Sequence, residues 1–331
     1  MDTRTHQTSP LSLPTPTDAG GQPRKLGVEV EFGGLGEEKT ASLLARETGG
    51  TMECQGTDYT VSDTPFGTCK MFIDTAYRKR ASGEIAKTAL DLARGLVPVE
   101  LVTDPFDPVA LPKLDTLLAT MRDAGAYGTE RGILLGFGVH LNVQTASDDV
   151  AHLWSVVTAF ALAEPLLRHN HPIDLSRRVL PFVDPYPRAL LDALAEGPPE
   201  TLHDLAQIYL TYAPSRNHAL DMLPIIADFD TSLIREVFGD NHGIGARPAF
   251  HYRMPDCRID DPEWSVSQEW DLWVAIEALA EDHAALNALC AAWRDHRDRL
   301  ARIPHGWLDR AAEILRDYGH DSLSKRDSAA A

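Results

Sequence analysis

Four short segments of this chain share one pattern, and that pattern limits how it can fold. In a β-strand, consecutive side chains point to opposite faces. GVEVEF (27–32) therefore sets Val28, Val30 and Phe32 on one face and Glu29 and Glu31 on the other. VPVELV (97–102) sets Glu100 against Val97, Val99 and Leu101. GFGVHLNV (136–143) opposes Gly138, His140 and Asn142 to Phe137, Val139, Leu141 and Val143. AFHYRM (249–254) opposes His251 and Arg253 to Phe250, Tyr252 and Met254. Taken singly, each is an ordinary half-wet strand. A solvated face, however, draws freely on Lys, Thr, Ser and Gln, whereas these positions hold three Glu, two His, an Asn and an Arg. Carboxylates and imidazoles on one sheet face form a donor set for Mg²⁺ or Mn²⁺, and Arg beside them suits phosphate. Glu29 and Glu31 repel one another unless a cation or proton lies between them. These residues form one donor set only where the four strands are sheet neighbours.

The remaining segments supply helices to cover such a sheet. Residues 37–48 read as a helix ending at Gly49-Gly50, and CKMFID (69–74) as a strand. Helices are expected at 84–94 and 108–122, then a long one near 149–168 capped from Ser147-Asp148-Asp149. Pro-rich loops fill 172–187, and further helices are expected at 188–196, 200–212, 216–227, 265–300 and 306–318. This is an α+β layout. Residues 1–24 contain eleven Ser, Thr or Pro and read as a disordered tail, and 321–331 as a second, leaving one domain over 25–320. Arg294, Asp295, Arg297, Asp298 and Arg299 read as a solvated helix face.

Composition narrows function. With 31 Lys+Arg against 49 Asp+Glu the 331-residue chain carries a net charge of −18, which argues against binding nucleic acid or an anionic membrane. It leaves room for an anionic ligand accompanied by metal ions. Cys54, Cys69, Cys257 and Cys290 are scattered, with no CxxC pair, as expected of a reducing, cytoplasmic setting. The N-terminus lacks an apolar signal-peptide core, and the most apolar run, 153–167, reads as too short to span a bilayer. No GxxxxGK[ST] or GxGxxG loop is present to cradle a nucleotide.

In this order the motifs resemble the amidoligases, relatives of glutamine synthetase and glutamate–cysteine ligase. That family has a Glu-x-Glu first strand, a Glu-(Leu/Ile)-Val-x-x-Pro strand, a Gly-x-His-x-His strand and a late Glu-x-Arg strand. Here they correspond to GVEVEF, VPVELVTDPF, GFGVHLNV and AFHYRMPDCRID, within residues 26–280. The resemblance implies a curved, mainly antiparallel sheet with helices on its convex side, as in the glutamine synthetase catalytic domain. It implies metal ligands at Glu29, Glu31, Glu100 and His140, and a phosphate-contacting Arg253. Two positions depart from the pattern: Asn142 replaces the second histidine, and His251 replaces the glutamate. Both residue types can still ligate or hydrogen-bond, so His251 stays among the metal candidates and the metal count is open.

The implied reaction is the ATP- and Mg²⁺- or Mn²⁺-dependent joining of a carboxylate to an amine. The carboxylate attacks the γ-phosphate, and an amine displaces phosphate from the resulting acyl phosphate. Arg253 and Arg258 are the phosphate candidates. Asp74, Asn142, Arg177, Arg178 and Arg216 are candidates for contacting substrate or nucleotide, each with a structural alternative. Asp74 can be plain strand-end solvation, and Arg177 and Arg178 a loop salt bridge. His169 and His171 read as surface loop, Asn217 as a helix cap, Cys257 as packing, and Trp264, Trp270 and Trp273 as core. A glutamine amidotransferase-like partner supplying ammonia is a further implication. Two other functions compete: a metal-dependent amidase on the same face, and a non-catalytic nucleotide- or partner-binding descendant.

Overall fold

The computed structural model describes residues 9–73, 98–129, 136–179, 183–298 and 305–324. Asp74 and the helix expected at 84–94 lie outside the described residues. The strands are β1 (Leu26–Phe32), β2 (Thr51–Gln55), β3 (Asp58–Thr64), β4 (Gly67–Ile73), β5 (Val99–Val102), β6 (Val139–Gln144), β7 (Leu220–Asp221) and β8 (Ala249–Tyr252). They form one open antiparallel sheet in the order β2-β3-β4-β5-β1-β6-β8-β7. With about twelve helices among the described residues, the fold is α+β.

The apolar rows lie on the covered face. Val28, Val30, Phe32, Val139, Leu141, Val143, Phe250 and Tyr252 are all buried. Two helices pack on them, α3 (Val150–Asn170) and α9 (Val266–Glu281). Trp273 of α9 lies 5.6 Å from the ring of Phe250 and 5.5 Å from that of Tyr252, and Phe160 of α3 lies 5.9 Å from Tyr252. Trp264, Trp270 and Trp273 are thus core residues. The helix α3 extends beyond the expected run and is long and apolar enough to cross a membrane, but most of it is buried inside the protein. An all-round apolar helix is what a position surrounded by other elements requires.

α1 (Glu37–Thr48) ends as expected, with Gly49 left-handed at φ 74° and its N–H bonded to the Ala45 carbonyl. Elsewhere the structure corrects the reading. The helix expected at 216–227 is instead strand β7 followed by α7 (Leu223–Phe229). There the Asp221 carboxylate accepts the Leu223 N–H, and Pro224 sits in the first turn. The long helix expected at 265–300 breaks at Asp282, whose carboxylate accepts the Ala284 and Ala285 N–H groups and starts α10 (His283–Asp298). The β2–β3 hairpin was not anticipated, because β2 is exposed throughout and carries no apolar row.

Residues 9–24 are not a disordered tail. Leu11 receives a bond from Trp270 and donates one to Asp271, Leu13 is buried, and the Arg24 guanidinium makes two 2.7 Å bonds to the buried Glu277. Asp321–Ser324, placed in the second expected tail, form a helical turn with Leu323 buried. Arg294 and Arg297 likewise are not merely solvated. They donate to the carbonyls of Ala195 and Asp192 at the C-terminal end of α5 (Arg188–Leu194), where cations suit the helix dipole.

Candidate functional site

The strands bearing the polar pattern are contiguous in the sheet, in the order β5-β1-β6-β8. Register then sets their polar residues opposite one another. Glu31 faces Glu100 across β1–β5, and Glu29 faces His140 across β1–β6. Asn142 faces His251 across β6–β8, and His251 faces Asp221 across β8–β7. Two carboxylates, Glu31 and Glu100, thus stand directly opposite one another.

Most of these side chains line a cavity of about 350 Å³. Glu29, Glu31, Glu100, His140 and His251 contribute to it, together with Arg177, Arg216, Arg247, Arg253 and the loop glycines Gly243 and Gly245. His140 Nδ1 lies 2.8 Å from Glu29 Oε2, and Asn142 Nδ2 donates to Glu29 Oε1 at 2.8 Å. Burial alone would raise the Glu29 pKa. The hydrogen bond and charge of His140, with smaller contributions from His251 and Asn142, hold it well below the usual carboxylate range. Glu29 is therefore an anion that only accepts, so His140 donates to it from Nδ1, and a neutral His140 ring carries its lone pair on Nε2. Glu31 Oε2 accepts the Gly138 N–H at 2.8 Å. Gly138 has to be glycine, because a Cβ there would stand 2.8 Å from the Arg177 guanidinium and 3.2 Å from His140 Nε2.

Glu29, His140 and His251 each offer a ligand atom, all within 4.8 Å of one another. The residues fit a divalent cation, and two imidazoles with carboxylates suit Mn²⁺ better than Mg²⁺.

The arginines divide by what they already bind. Arg177 is fully buried and donates through Nη1 and Nη2 to the carbonyls of Met254, Pro255 and Arg253 and to the Asp256 carboxylate, while its buried Nε has no hydrogen-bond partner among the described residues. It is a strut that holds the chain after β8, which is the salt-bridge alternative in a buried form. Arg253 donates to the Arg216 carbonyl, and its buried Nε has no hydrogen-bond partner among the described residues. Burial lowers the Arg253 pKa, against the opposing charges of Asp221 and Glu31. Arg216 is exposed at the cavity and donates to the Gly243 carbonyl at 3.0 Å. Arg178 is exposed and Arg258 half-buried, and neither lines the cavity. Cys257 is buried, which pushes its thiol up and suits packing. His169 and His171 end α3, away from the cavity lining.

Sequence reasoning missed two residues. Arg247 donates to Asn142 Oδ1 at 2.6 Å and lies 3.0 Å from His251 Nδ1. Its loop, NHGIGARP, has no periodicity; the only signal is a pair of glycines just before a strand that carries site residues. Asp221 sits in the two-residue strand hidden by the expected helix. Burial raises its pKa to about 6, against the opposing Leu223 hydrogen bond and the charges of Arg253, Arg216 and Arg247.

Residues 22–275 match a family described as putative amidoligase enzyme. The chain belongs to this family. Every cavity-lining residue falls inside the matched range. The family name denotes a ligase-type enzyme, consistent with the motif order. No curated protein matches the chain.

Proposed function

We propose that this amidoligase-family chain joins a carboxylate to an amine at the expense of ATP, with Mn²⁺ or Mg²⁺, through an acyl phosphate. The observation that carries the reading is the gathering of Glu100, Glu31, Glu29, His140 and His251 from four neighbouring strands at one cavity, with Arg253 and Arg247 beside them. Glu29, Glu31, Glu100, His140 and His251 would hold the divalent cation, which supplies charge neutralisation for the nucleotide phosphates. Arg253, whose Nε is unspent, suits the transferring phosphoryl group. Arg216 and Arg247 suit the remaining phosphates or the substrate carboxylate. The carboxylate oxygen attacks γ-phosphorus and ADP leaves; the amine nitrogen then attacks the acyl carbon, phosphate leaves, and the amine loses a proton. A glutamine amidotransferase-like partner delivering ammonia fits this scheme.

Calorimetry tests the reading. ATP is expected to bind only with Mn²⁺ or Mg²⁺, and substrate-stimulated ADP release is expected to fall at least 100-fold in Glu29→Gln and Glu31→Gln. Absence of metal-dependent ATP binding sinks the proposal. A second reading, a metal-dependent amidase, is favoured by one observation: two histidines and a carboxylate within 4.8 Å also suit activation of water. Amide hydrolysis without ATP would select it.

A further inference from the structure

The two positions that depart from the family pattern touch each other. Asn142 and His251 are register partners on β6 and β8, and His251 Nδ1 lies 2.7 Å from Asn142 Oδ1. The Glu29 carboxylate settles which way the Asn142 amide faces. Glu29 Oε1 can only accept, so it takes Nδ2–H, which turns Oδ1 toward His251 and Arg247.

Oδ1 is an acceptor, and the Arg247 guanidinium can only donate to it. At 2.7 Å, His251 Nδ1 must donate to Oδ1 as well, since two lone pairs would repel at that distance. Arg247 also lies 3.0 Å from His251 Nδ1, a contact that taken alone suits a bare Nδ1. The shorter 2.7 Å contact to the Oδ1 acceptor sets the proton on Nδ1, with Arg247 donating to the same oxygen at 2.6 Å. With its proton on Nδ1, the buried His251 ring keeps the lone pair on Nε2. This is the same tautomer that Glu29 imposes on His140, whose ring centroid lies 5.0 Å away.

We infer that Asn142 is a positioning residue, which sets His251 as the Nδ1–H tautomer and orients the Arg247 guanidinium at the cavity. One amide thus prepares an imidazole ligand for a divalent cation and a guanidinium for an anion. Glu29 anchors that amide, so Glu29 orients both histidines, directly at His140 and through Asn142 at His251. The role for the cation rests on the ligase reading above, whereas the tautomer does not.

Nitrogen NMR of metal-free, ¹⁵N-histidine-labelled protein tests this. Wild type is expected to show His251 protonated at Nδ1 and bare at Nε2. In Asn142→Leu, of similar shape but without the hydrogen bonds to Glu29, Arg247 and His251, the proton is expected to move to Nε2. Mn²⁺ affinity by electron paramagnetic resonance is expected to fall about tenfold or more in the variant, the usual cost of losing an orienting partner. The wild-type spectrum suffices should the variant not fold: an Nε2–H His251 overturns the inference with the ligase reading intact. An unchanged tautomer and Mn²⁺ affinity in folded Asn142→Leu also overturns it. A wild-type Nδ1–H His251 in a protein that binds no Mn²⁺ upholds the positioning role and removes the ligase reading instead.

Discussion

Glu277 and Glu29 are both held by hydrogen bonds on both carboxylate oxygens, yet they serve opposite ends. Glu277 is 1% exposed and receives two 2.7 Å bonds from Arg24 and one of 2.8 Å from Trp273. Its charge is cancelled in place by a permanent cation, and its geometry is closed. Glu29 takes its bonds from His140 and the neutral amide of Asn142, and its face opens on the cavity. Its partners are a titratable imidazole and a neutral amide, not a permanent cation, so beside a neutral His140 it keeps an attraction for one. A buried carboxylate thus marks stability or chemistry according to whether its partners neutralise it.

Breaking the closed pair should have the largest effect. Glu277→Ala leaves Arg24 buried without its counter-charge and is expected to cost about 3–5 kcal/mol, read as a fall in the urea midpoint. Mn²⁺ affinity of the folded variant should remain at the wild-type value; a large loss would erase the distinction between the two glutamates.

Acid should likewise act first on the closed side. Burial, helped by the nearby Arg24 charge, lowers the His152 pKa to about 4, and its Nε2 accepts the Ala146 N–H. The unfolded chain takes up this proton at about pH 6.5, the folded one only near pH 4. This contribution to stability is therefore complete above pH 6.5 and lost progressively down to pH 4, by about 3 kcal/mol in all. His152→Gln keeps an acceptor and should flatten that part of the difference in urea stability between pH 7 and pH 4.5. Equal slopes in variant and wild type would show that His152 is not the group responsible.

The smallest effect sharpens the open side. His251→Glu exchanges an imidazole for a carboxylate and should shift the Mn²⁺/Mg²⁺ binding ratio several-fold toward Mg²⁺, read by competition in paramagnetic resonance. An unchanged ratio would place His251 outside the cation's ligands.

Much of this site was legible because alternation in a strand is a local property. The period of two in GVEVEF and GFGVHLNV already separates Glu29, Glu31, His140 and Asn142 from the apolar residues that now pack beneath α3 and α9. Arg247 was not legible, since it reaches Asn142 from an aperiodic loop 105 residues further along the chain. For Arg177 the salt bridge was legible and Asp256 supplies it, but not the carbonyls 76–78 residues away that its guanidinium also holds.

By itself the sequence determined which faces are apolar, where α1 stops at Gly49, and which residue types line the cavity. Composition misled at residues 9–24, where few apolar side chains suffice because Arg24 finds Glu277, 253 residues on. Only the tertiary structure decided that β5, β1, β6 and β8 are neighbours, and in which register. A shift of one residue would turn each polar row into the core, so the packing of the apolar face beneath α3 and α9 is what brings Asn142 opposite His251 and Glu31 opposite Glu100.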